Sequence, residues 1–310
     1  MLTLGQGADA VGDLLPARPG LAPVLTVGRF TNGCVRLLGV QLTNSNEPKA
    51  GYALEFEDAF DGDVLDQTRW FPYYLPHWSS RAASAARYQV GSGQLRLMIE
   101  ADQPPWCPEF DDGIRVSSVQ TGVFAGPVGS PVGQQRFNTD LVVREAQRNV
   151  RLYTPQYGFF ELRAKAIDDP RSMVALWMIG YEDEPERSAE ICICEIFGRA
   201  MTFGTAAVGM GVHPFGDPTI VDEFAAEVVE IDAREFHVYA AEWTPDFVAF
   251  FIDRRLIKTV RQSPQYPMQF MLGIYEFPDD GLAPAQAHRY PKQFTIDYFR
   301  GYRPLSRQPA

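Results

Sequence analysis

Cysteine is scarce in this chain of 310 residues: four occur, at positions 34, 107, 192 and 194. Their spacing fits no disulfide framework, and Cys192 and Cys194 stand too close along one extended segment to bridge. Positive charge is in deficit as well. Lys and Arg number 28 against 39 Asp and Glu, a formal charge of -11 spread along the sequence. Nucleic-acid binding requires a basic surface that neutralises phosphates, so nucleic acid is excluded as a partner. No apolar run reaches the length of a membrane span, which excludes a helical membrane partner role. The first twenty residues have neither the basic head nor the apolar core of a secretory signal. These shortages together predict a reduced, cytoplasmic, monomeric protein, with export by an unrecognised route as the alternative.

Helical periodicity is equally rare, and two-residue alternation takes its place. Leu95, Leu97 and Ile99 alternate with Arg96, Met98 and Glu100; Phe160, Leu162 and Ala164 alternate with Glu161, Arg163 and Lys165. Val248, Phe250 and Ile252 run into Asp253-Arg254-Arg255 and then Leu256 and Ile257, a hairpin pattern. Val174 to Ile179 is continuously apolar, as in a strand covered on both faces. Many short strands joined by Gly/Pro-rich connections predict an all-β sandwich of two antiparallel sheets. At 45% hydrophobic residues the chain can fill such a core. Residues 1–50 read as an extension in which Thr31-Asn32-Gly33 turns a β-hairpin. Residues 51–304 read as the main domain and 305–310 as a tail. Gly122 to Pro155 is a long insertion, Gly/Pro-rich at its start, suited to walling a cleft.

The most informative segment is Ala189-Glu190-Ile191-Cys192-Ile193-Cys194-Glu195-Ile196-Phe197. An acid in so apolar a strand is costly unless it is paired or functional. Two carboxylates on one face of a sheet are what retaining glycoside hydrolysis requires, one as nucleophile and one as acid and then base. In a regular strand, however, 190, 192 and 194 share a face and 195 points away. Glu195 joins Glu190 only if one extra residue makes a β-bulge, a device that recurs beside active sites.

The motif Glu190-x-Cys192-x-x-Glu195 resembles that of glycoside hydrolase family 16, the laminarinase-like β-glucanases. Further resemblance lies in Ala175-Leu176-Trp177-Met178, in the 157–165, 236–246 and 294–300 segments, and in the opening 54–62 segment. Together they span about residues 52 to 303 in the family's order. The resemblance implies a jelly roll with a concave glycan-binding cleft, Glu190 as nucleophile and Glu195 as acid/base. One position departs: the family carries Asp between the glutamates and this chain carries Cys192. A thiol is mostly neutral at pH 7 and only a weak hydrogen-bond partner, so the electrostatic helper of the pair is missing.

Trp177 suits sugar stacking, and in the resembled family its counterpart lines the subsite where the bond breaks. His213 matches a family histidine beside the catalytic strand. Trp78, in the aromatic 73–81 loop, fits either sugar stacking or a buried loop anchor, whereas Trp243 reads as core. Many family members hold a structural calcium. Asp297 matches one ligand position, but Ala59 stands where a Glu is often found, so no calcium and no other cofactor or metal is expected. Cys192-Ile193-Cys194 alone is weak as a zinc site, which needs four ligands. The expected activity is retaining endo-acting hydrolysis of a β-linked glucan or similar poly- or oligosaccharide. A lectin-like protein that has lost turnover and a transglycosylase are the alternatives.

Overall fold

The structure, a computed structural model, describes residues 49–278 and 289–305. The expected N-terminal hairpin, Cys34 and residues 306–310 lie outside the described residues. Two antiparallel sheets dominate. One has eight strands in the order Arg255–Val260, Val248–Ile252, His237–Trp243, Gly158–Lys165, Lys292–Pro304, Leu95–Ile99 and Arg87–Val90, with Tyr52–Asp58 also paired to Lys292–Pro304. The other has seven: Met201–Thr202, Thr205–His213, Glu190–Phe197, Ser172–Gly180, Met268–Glu276 and Arg115–Gln120, with Glu223–Val229 on Thr205–His213. This is the two-sheet sandwich that the alternation predicted, in the jelly-roll form that the resemblance implied. Among the described residues no helix is long and apolar enough to cross a membrane.

Alternation explains the core. Leu95, Leu97 and Ile99 and Phe160, Leu162 and Ala164 all point inward from the larger sheet. Leu176, Met178, Ile191, Ile196, Val208, Met210, Phe270 and Leu272 meet them from the smaller one. Each fully buried Leu, Ile or Phe contributes about 1.5–3 kcal/mol by leaving water. Met98, expected on the outer face, is instead 5% exposed. The expected hairpin turns on two residues rather than three: Asp253 (φ 49°) and Arg254 (φ 66°) form it, and Arg255 already belongs to the next strand. Two consecutive left-handed residues are what a tight turn between right-twisted strands demands.

The whole of Ser172–Gly180 is buried, on both faces. One face meets the inter-sheet core. The other carries the motif and is covered in part by Tyr74, which packs on Tyr275, and by the loop from which Gln135 reaches Glu190.

Candidate active site

The bulge exists. Leu176 and Trp177 are consecutive on their strand, but their partners are Cys194 and Cys192, which leaves Ile193 as the extra residue. The shift recurs on the other side, where Gly209 and Gly211 face Glu195 and Cys192. Glu190, Cys192 and Glu195 therefore share one face, opposite Ile179, Trp177 and Ala175 on one neighbour and His213, Gly211 and Gly209 on the other. Cys194 leaves by the opposite face and joins the core cluster. The two thiols thus cannot converge on one metal. Among the described residues no group of three or more His, Cys, Asp or Glu is placed to hold an ion.

Glycine makes the room beside the acids. A Cβ on Gly209 would sit 2.5 Å from the Phe224 ring and 3.2 Å from the Glu195 Cβ. Gly211 has φ 149°, and a Cβ there would meet the Glu223 carbonyl at 2.2 Å.

Glu190 is 3% and Glu195 6% exposed. Burial pushes the Glu195 carboxyl up to about 7, the charge of Glu190 adds to the rise, and His213 and the Cys192 thiol oppose it. Burial raises Glu190 too, but the Gln135 amide and His213 favour its ionised form. Burial thus favours a retained proton on Glu195, as a general acid requires, while the Gln135 amide favours the charged form of Glu190, as a nucleophile requires. The Cys192 thiol is held well above its usual range, first by burial and then by the two glutamates, so it stays a neutral S–H.

His213 lies directly across from Glu190, with its Nδ1 2.9 Å from Asp222 Oδ2 and its ring stacked on Phe224 at 4.6 Å. Trp177 is fully buried on the motif face and donates its indole N–H to the Tyr275 hydroxyl at 3.0 Å. Tyr74 packs on Tyr275 and on Trp106. Trp78 is placed differently from a stacking platform. It is fully buried, and its indole N–H donates to the Gln134 carbonyl at 2.7 Å. Its neighbour His77 is fully buried too and donates from Nε2 to the same oxygen at 3.0 Å. The geometry of Trp78 is that of the buried loop anchor. Trp243 lies in the core.

Two residues without any sequence signal complete the cluster. Gln135 donates from Nε2 to Glu190 Oε1 at 2.5 Å, and its backbone N–H donates to Glu182 Oε1 at 2.8 Å. Glu182 is 7% exposed and burial raises its carboxyl well above the usual range. A surface cavity of about 560 Å³ beside Phe60 and Arg69, and one of about 460 Å³ beside Lys165 and Arg234, both lie elsewhere. Neither hollow holds the paired, raised carboxyls of the motif face, which mark that face as the candidate site. The residues do not fit the family's calcium: Asp297 pairs with Arg163 at 2.5 Å, and Ala59 has no side-chain oxygen.

Residues 149–300 match the model of glycosyl hydrolases family 16. The matched segment contains the motif strand and both neighbours. The chain is similar to a curated endo-1,3-1,4-β-glycanase, ExsH, of Rhizobium meliloti (strain 1021), at 26% identity over 157 residues, 48% of this chain and 31% of that protein. It is also similar to the solved GlcNAcα1-4Gal releasing endo-β-galactosidase of Clostridium perfringens, at 31% identity and a TM-score of 0.71. That match covers 84% of this chain and 65% of that one. The catalytic domain of an endo-1,3-β-glucanase (laminarinase) of Thermotoga petrophila RKU-1 shares the fold, with a TM-score of 0.55 at 17% identity over 82% of this chain and 99% of that one. The chain thus spans about a third of the curated relative's length and about two thirds of the galactosidase's.

Proposed function

We propose that the protein is a retaining, endo-acting glycoside hydrolase of β-linked polysaccharide. The observation that carries this reading is the bulge at Ile193, which turns Glu195 onto the face of Glu190. Glu190 attacks the anomeric carbon while Glu195 protonates the departing glycosidic oxygen. The covalent glycosyl–enzyme then yields to a water that Glu195 deprotonates. A carboxyl pushed up to about 7 holds its proton at neutral pH for the first step and can take one back in the second. Buried Oε1 atoms of Glu195 and Gln135 have no partner among the described residues, and sugar hydroxyls are donors of the right kind for them. Trp177 and His213 contribute one wall each to the same face. No metal or cofactor takes part in this scheme.

Because the chain is similar to an endo-β-galactosidase and to an endo-1,3-1,4-β-glycanase, β-galactose-containing glycans and β-1,3-1,4-linked glycans are the substrates to test first. The test is a panel of these polymers, assayed for new reducing ends and analysed for product size. The reading expects internal cleavage of at least one polymer and its loss in Glu190→Gln. Binding without cleavage overturns it in favour of a lectin-like protein. Larger rather than smaller products show transfer to a sugar acceptor through the same intermediate.

A further inference from the structure

We propose, resting on Glu190 as nucleophile, that Gln135 is a positioning residue that aims the Glu190 carboxylate, and that Glu182 fixes Gln135 for this task. A nucleophilic carboxylate must present one oxygen to the anomeric carbon and hold the other still. The neighbour on its own strand cannot do the holding, because Cys192 is a neutral thiol and a weak donor. The Gln135 amide can. It is fully buried and reaches Glu190 from 55 residues away with its Nε2 2.5 Å from Oε1. An ionised carboxylate only accepts, so the NH₂ end of the amide is the end that faces it.

The backbone beneath Gln135 is fastened at several points. Its φ is 53°, a conformation L side chains seldom adopt, and Glu182, which accepts its N–H, has φ 58°. Next to it, the Gln134 carbonyl takes the Trp78 and His77 donors, and the Gln134 side-chain amide donates to the Tyr181 carbonyl at 3.1 Å. Gly133 lies so close that a Cβ would meet the His77 ring at 2.7 Å. Anchors from two segments thus converge on a strap whose one side chain on the nucleophile is Gln135.

Glu182 has no Lys or Arg partner among the ion pairs of the described residues, and Glu190 stands near it. Among the described residues, the other groups that bear on Glu190 are Glu195, Cys192, His213, Asp222, Tyr74 and Tyr275. Buried and close to the Glu190 charge, the Glu182 carboxyl is pushed toward its neutral form, in which its carbonyl oxygen still accepts the Gln135 N–H.

The experiment uses the full chain and the polymer it cleaves best. In Gln135→Ala, kcat falls about 10- to 100-fold while KM changes by less than about threefold. The acid limb of the pH profile moves to higher pH, because Glu190 loses a donor that favours its charge. Gln135→Met repeats the comparison with the volume retained. Glu182→Gln keeps a carbonyl acceptor and stays within about twofold of the parent, whereas Glu182→Ala behaves as Gln135→Ala does. An unmoved acid limb with unchanged kcat, or an effect on KM alone, overturns the proposal. So does a Glu182→Gln as impaired as Glu182→Ala. If the parent cleaves nothing, the hydrolase reading fails, and the positioning claim is read without substrate. A ¹³C titration of the Glu carboxyls, with Glu190 assigned through Glu190→Gln, then shows a higher Glu190 midpoint in Gln135→Ala if the claim holds, and an unchanged one if it does not.

Discussion

On one face of the Glu190–Phe197 strand, Ile191, Cys194 and Ile196 pack into the inter-sheet core. On the other, Glu190, Cys192 and Glu195 are nearly as deeply buried, yet two of the three are acids. The core face needs volume and apolarity, and many side chains of similar size would serve there. The motif face carries glycines that clear space, acids with shifted protonation and acceptors with no partner among the described residues. Equal burial therefore reports packing on one side of a strand and chemistry on the other. What tells them apart is the polar inventory and not the exposed area.

The comparison breaks most visibly in turnover. Glu190→Gln should lower kcat by about a thousandfold or more, with folding retained, as measured by reducing-end release and thermal unfolding. Ile191→Ala, one residue along and on the core face, should do the reverse. It should cost about 2–5 kcal/mol of stability in a denaturant titration while the folded fraction keeps its kcat. Glu195→Gln sharpens the contrast through pH. The folded protein holds this proton up to about pH 7 while the unfolded chain releases it near the ordinary 4.5. The parent therefore loses stability as pH rises through that window, by an order of 2–3 kcal/mol from this group. The variant should be the more stable protein at pH 8, with the gain vanishing below pH 4.5. Equal gains at both pH values would contradict the burial account.

The smaller effects centre on Cys192. Cys192→Asp places a third carboxyl between two others, so the pH profile should shift upward by about one unit. Cys192→Ser keeps a small neutral group and should stay within about twofold in kcat/KM. Loss of activity in both Cys192→Asp and Cys192→Ser would instead give the thiol a role of its own.

Much of this was legible in the sequence, for a reason the residues make plain. Alternation gave the sheets because side chains on a strand take opposite faces by geometry alone. Glu190 and Glu195 could be singled out because acids in an apolar strand are costly, and their odd spacing required the bulge that Ile193 supplies. Trp78 could be read two ways because an aromatic loop looks the same whether it stacks on sugar or clamps a carbonyl. Gln135 was invisible. Its contact with Glu190 crosses 55 residues and comes from an irregular loop, where no period links side-chain direction to sequence position. Glu182 was hidden likewise, since only the fold reveals that its carboxyl is buried near Glu190.

The central claim is that the bulge turns Glu190 and Glu195 into a nucleophile and its acid/base partner. Its most direct test is covalent trapping. The protein is incubated with a 2-deoxy-2-fluoro glycoside of the sugar it releases, which slows breakdown of the glycosyl–enzyme, then digested and analysed by mass spectrometry. The account predicts one sugar added to the peptide containing residues 189–197, on Glu190, and none in Glu190→Gln. Attachment at any other residue, or turnover of the natural polymer with inversion at the anomeric carbon, would contradict it.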